Sequence, residues 1–137
     1  MITTETIIQF VSEFTGSKKV GPETDIFNDL GCVGDDFSEL MEKFADKFSV
    51  DMSGFIWFFH SEDEGNPGIG QWIIKPPYSR VDRIPVTPNL LKEFANSGKW
   101  NIDYPPHDVP IERWDIRINQ IFGILIVIGI VIYLLLK

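Results

Sequence analysis

Only one cysteine, Cys32, and two histidines, His60 and His107, occur in the 137 residues. A single cysteine permits no internal disulfide and lends no support to an oxidising compartment. Two histidines without a helical pair argue against a structural zinc site, and the twelve-residue calcium loop is absent. No phosphate-cradling glycine loop, nucleophile elbow or triad order is present. Basic residues are also few, 12 against 20 acids, for a net charge of −8. The deficit lies in residues 1–64, with fourteen acids and four bases, while residues 65–137 hold six acids and eight bases. An acidic first half argues against nucleic acid and suits either solubility or a basic protein partner.

Charge is missing altogether from Ile121 to Leu136, where thirteen of sixteen residues are Ile, Leu, Val or Phe and only Gly123, Gly129 and Tyr133 interrupt. Such a run has no polar face to offer a soluble core, and a lone strand in lipid leaves its backbone unsatisfied. A membrane-crossing helix over 121–136 is therefore expected. At ~1.5 Å per residue it covers about 24 Å of a roughly 30 Å hydrocarbon layer, so Asn119 and Gln120 fall at the edge. Arg117 then snorkels and Trp114 sits at headgroup level, with Ile121, Phe122, Tyr133 and Leu136 in contact with lipid. Gly123 and Gly129 are six apart, not four, so helix pairing through this segment is not indicated. Met1 to Glu5 has no basic leader, and Arg113 and Arg117 precede the run, so a tail anchor with a cytoplasmic N-terminal domain is expected.

The preceding residues suit one domain over 1–100 and a juxtamembrane linker over 101–120. Thr3 or Thr4 can cap a first helix, with Ile7, Ile8, Val11 and Phe14 on one face and Gly16 as its stop. Asp36 and Glu39 have capping-box spacing at the head of a second helix. Phe37, Leu40, Met41, Phe44 and Phe48 form its apolar stripe, a core face and not a ligand box, while Glu39, Glu42, Lys43, Asp46 and Lys47 meet water. Two β-like runs, Phe55–Phe59 and Gln71–Lys75, flank the turn-rich Ser61–Gly68 and predict a hairpin, with Ser79–Ile84 a third strand. Helix is the alternative for Phe55 to His60. Thr87-Pro88 opens a last soluble helix that Gly98 stops.

Asp25-Ile26-Phe27-Asn28-Asp29-Leu30-Gly31, followed by an acidic helix ending in Phe48-Ser49-Val50-Asp51, resembles an acyl carrier protein. Laid on Asp29-Leu30-Gly31, the carriers' Glu-Leu falls on Glu39-Leu40 and their closing Phe on Phe48. In that register the serine bearing phosphopantetheine corresponds to Gly34, and the Asp before it to Val33. Glycine has no hydroxyl for the tether, and Ser38, one turn later, lacks the Asp-Ser-Leu context. With Gly34-Asp35-Asp36, Ile84-Pro85-Val86-Thr87 and Gly98-Lys99-Trp100, the chain looks like the acyl-carrier-like domain of unknown function 1493, typical of enteric bacteria. The resemblance covers about residues 4 to 100. It implies a mainly α (α+β) fold, a carrier-like helical bundle in which residues 52–84 form an insertion with the hairpin, here followed by the membrane helix.

Cys32 lies close to Asp35 and Asp36, whose charges raise a thiol pKa, so a half-buried structural cysteine is the expectation. His60, Glu62, Asp63 and Glu64 read as a solvated turn. Asp35 and Asp36 complement a helix dipole. By resemblance, Asp35, Asp36, Glu39, Glu42 and Asp46 would present an acidic face to a basic-surfaced protein. The expected function is a non-catalytic adaptor or regulator at the bacterial inner membrane, without metal, cofactor or nucleic acid. Two alternatives stay open: a genuine carrier with an atypical attachment site serving membrane lipid metabolism, and a small envelope-stress or immunity factor.

Overall fold

Helix α1, Thr4–Thr15, starts where Thr3 Oγ1 accepts the Thr6 N–H at 3.2 Å and ends on Gly16, whose φ of 71° is the left-handed conformation a helix stop requires. Helix α2 runs Gly34–Phe48. The computed structural model describes residues 1–65 and 68–137, and among these it is helical, with five α-helices, two short 3-10 turns and no strand. They form two compact units: residues 1–64 with 82–106, and residues 65–81 with 107–137.

In the first unit, α1 contributes Ile7, Phe10 and Val11 to the core, and α2 contributes Phe37, Leu40, Met41 and Phe44. Phe48 is only partly buried, and its ring meets Phe10 edge-on at 5.6 Å. Of the apolar residues expected on one face of α1, Ile8 and Phe14 are half-buried while Phe10 goes inside. The expected cap of α2 is corrected. Asp36 is not its N-cap; that position is Val33, without a side-chain cap, and Asp35 and Asp36 occupy the first turn. The extended backbone needed at a cap falls on Val33, φ −129° and ψ 166°, so both carboxylates are left beside the free N–H groups of the first turn.

The long loop between α1 and α2 is tied down from the other end of the unit. Ile26 N–H donates to Val86 O at 3.0 Å, and both side chains are buried. Arg83 sends two nitrogens to the Asp25 carboxylate and lays its guanidinium over Phe27, 4.7 Å from the ring centre. Two neighbouring donors on one carboxylate fix orientation as well as distance. Helix α4 is Pro88–Ser97 (α3 is described below). It is capped by Thr87, which accepts from Leu90 N–H, opens on Pro88 and stops at Gly98, as its sequence predicts.

The hairpin is corrected as well. Trp57–Phe59 is a 3-10 turn, Ile69–Ile73 a five-residue helix, α3, and Pro77–Arg80 a second 3-10 turn. Asn66 and Pro67 of the expected turn lie outside the described residues. The aromatic run packs on rings from the far end of the unit: Phe55 meets Trp100 edge-on at 5.0 Å, and Phe59 lies 4.8 Å from Tyr104. Packing overrides β-propensity here, and Pro76-Pro77 removes two ladder donors from the next run. The β-pairing among the described residues is one parallel bridge, Asp51 to Lys99. It places Trp100 N–H 2.9 Å from Asp51 O and seats the indole, 1% exposed, in the core.

In the second unit, helix α5 spans Trp114–Leu136, at ~1.5 Å per residue about 34 Å. Helix α3 docks on its first turns: Gly70 N–H donates to Asn119 Oδ1 at 2.7 Å, and a Cβ on Gly70 would run into the Asp115 carbonyl. Pro76 and Pro77 are buried, and Ile121 to Leu136 are exposed throughout.

Candidate functional site

A helix advances about 100° per residue, which places Asp35, Glu39, Glu42 and Asp46 on one strip of α2 and Phe37, Leu40, Met41 and Phe44 on the opposite side. The four acids are exposed, as is Asp36, which is rotated off the strip by about a quarter turn. Lys43 and Lys47 follow Asp36 along that flank. Lys43 Nζ lies 2.7 Å from Glu39 Oε1 and 5.2 Å from the Phe14 ring centre; Lys47 lies 5.3 Å from that of Phe10. The strip is thus bordered on one side by two lysines over a shallow groove lined by Phe10, Glu13, Phe14 and Asp46. Five acids and two lysines leave helix α2 with an acidic surface.

Gly34 opens α2 at φ 53°, a conformation that disfavours any side chain, and a Cβ there would overlap the Glu64 side chain. Its N–H donates to Ser61 Oγ at 3.3 Å. A glycine at position 34 therefore has a conformational reason of its own. Ser38 is exposed, and its hydroxyl donates back to Gly34 O at 3.2 Å, the usual local bond of a helical serine. Cys32 is buried, and its thiol is pushed up to about 11 by burial first and then by Asp36 and Glu64. A thiol held neutral is a poor nucleophile.

Sequence reasoning placed His60 in a solvated turn with Glu62, Asp63 and Glu64, which is corrected. His60 is fully buried, while those three acids are exposed. His60 stacks on Phe55 with ring centres 5.3 Å apart. Its Nδ1 is 2.9 Å from Ile84 O, and a carbonyl only accepts, so Nδ1 carries the hydrogen. Nε2 is then an acceptor, and the Tyr104 hydroxyl donates to it across 2.7 Å. The same hydroxyl oxygen accepts from Trp100 Nε1–H at 2.8 Å and Ile56 N–H at 3.2 Å. Burial is the main cause that lowers the His60 pKa to about 4. The histidine is a neutral structural group whose two nitrogens are both engaged. Tyr104 is the partner that sequence reading missed, because it sits in a stretch read as linker.

Trp114, Arg117, Ile121, Phe122, Tyr133 and Leu136, the residues expected to meet lipid, are all exposed on α5. Arg117 lies over the Trp114 ring at 5.1 Å and pairs with Glu112 at 3.2 Å. Among the described residues, this one helix is long and apolar enough to cross a membrane.

Comparison with curated proteins and with solved structures returns no match. A family model does match, over residues 2–103, which takes in the first unit except Met1 and its last three residues. The chain belongs to that family, described as protein of unknown function (DUF1493).

Proposed function

We propose that the protein is a non-catalytic, membrane-anchored adaptor on an acyl-carrier-like scaffold, which binds a basic-surfaced protein through helix α2. The observation that carries this reading is the exposed strip Asp35, Glu39, Glu42 and Asp46, set opposite the buried stripe of the same helix. A rigid amphipathic helix with its apolar side in the core presents those carboxylates in fixed register to a partner, and complementary charge speeds encounter more than it adds affinity. Helix α5 would hold the domain at a bilayer, with Arg113 and Arg117 on the near, cytoplasmic side.

A carrier needs a hydroxyl, and Gly34 has none. Intact mass of the protein purified from its own host tests the rival directly: a phosphopantetheine adduct supports a working carrier and overturns the adaptor reading. For the docking face, a photo-crosslinker at Glu42 in intact membranes should capture a defined basic protein. Glu39→Lys with Asp46→Lys should abolish that capture. Undiminished capture by the charge-reversed chain counts against the face.

A further inference from the structure

We infer that helix α3 is a second membrane contact, with Trp72 and Ile73 lying in the headgroup layer of the bilayer that α5 enters. This rests on the reading of α5 as a membrane helix and goes beyond it, because a crossing helix alone says nothing about residues 65–81.

Three observations carry it. First, α3 is fixed at a known height on α5. Gly70 N–H bonds to Asn119 Oδ1 at 2.7 Å, and the Gly70 backbone lies so close to the Asp115 carbonyl that a Cβ would not fit between them. Asn119 precedes the apolar run by two residues, about 3 Å along the axis, and α3 is itself only about 7 Å long. The interfacial layer on each side of the hydrocarbon is roughly 5 to 7 Å deep. With Ile121 at the hydrocarbon edge, α3 falls within that layer.

Second, the outer side of α3 is apolar. Trp72 is 81% exposed and Ile73 65%, unusual values for such residues in water. Tryptophan is the residue that favours the membrane interface, so the exposure of Trp72 suits that layer. Third, residues 65–81 contain no acid and two bases, Lys75 and Arg80, both exposed. The second unit has five bases and three acids, against seven and seventeen in the first. An apolar helix side with basic neighbours, continuous with the entry point of a lipid-crossing helix, fits an anionic lipid surface.

The test uses the full chain in phosphatidylcholine–phosphatidylglycerol vesicles, with a nitroxide label on Ile73→Cys, on Ile126→Cys, or on Ser38→Cys as the aqueous reference. Cys32, buried and with its thiol raised, stays unlabelled at pH 7. Collision with oxygen reports lipid, and collision with a water-soluble nickel chelate reports solvent. The expected result is a label at 73 that is several-fold less accessible to nickel than the label at 38, and shallower than the label at 126. Trp72→Glu in the same chain should raise nickel access at 73. A label at 73 as nickel-accessible as that at 38, with 126 still in lipid, overturns the inference alone. Nickel access at 126 overturns the crossing helix and this inference with it. Placing the label on Trp72→Cys repeats the reading should the Ile73 variant fold poorly.

Discussion

The Tyr104 hydroxyl donates to His60 Nε2 across 2.7 Å, joining two rings forty-four residues apart in the first unit. The tyrosine oxygen at the same time accepts from Trp100 and from the backbone of Ile56, and His60 Nδ1–H reaches Ile84. Three segments distant in sequence, 56–60, 84 and 100–104, meet on two polar side chains, in a place where an unpaired group costs its full desolvation.

Stability should therefore depend on pH through His60. Its folded pKa, about 4, lies below the ordinary 6.5, so the unfolded chain takes up the proton first as pH falls. The contribution is fully present above pH 6.5, is lost progressively between about 6.5 and 4, and is flat below that. The 2.5-unit gap corresponds to about 3 kcal/mol. Urea midpoints at pH 7 and pH 4.5 measure it, and His60→Gln should flatten the part of the profile that this histidine supplies.

Tyr104→Phe should destabilise the first unit by about 2 to 4 kcal/mol, because it strands His60 Nε2, the Trp100 indole N–H and the Ile56 N–H together. It should also raise amide exchange at Ile56. A loss under 0.5 kcal/mol would mean that the network is not structural.

At the head of α2, Gly34→Ser should cost about 1 kcal/mol through its positive φ and the displaced Glu64, even though it restores the hydroxyl that carriers use. Incubation with a phosphopantetheinyl transferase and coenzyme A should leave its mass unchanged, since the Asp-Ser-Leu context is still missing.

Thr87→Ala should remove the Leu90 N–H cap and cost about 1 kcal/mol of unfolding free energy, while Thr3→Ala should do the same to α1. Denaturant titration of each variant measures both losses.

How much of this the sequence carried follows from the range of the forces involved. Thr3, Gly16, Thr87, Pro88 and Gly98 act on their own neighbours, and each did in the structure what its residue type predicts. The α2 stripe was legible because 3.6-residue periodicity is local too. The hairpin failed where long-range packing decides: Phe55 and Phe59 turn toward Trp100 and Tyr104, more than forty residues away, and Gly70 docks on Asn119. Their β-propensity is real but weaker than the aromatic burial that overrode it. Asp36 was misread as a cap because Val33 supplies the extended backbone without a capping side chain. His60 looked solvated because three acids follow it, and nothing local marks Tyr104 as its partner.

Whether α5 holds this acidic domain at a bilayer is decided by alkaline carbonate extraction. Membranes carrying the full chain are compared with membranes carrying the chain stopped after Gln120. The full chain should stay in the pellet while the shortened one is released into the supernatant. Equal retention of both chains, or release of both, would contradict anchoring by α5.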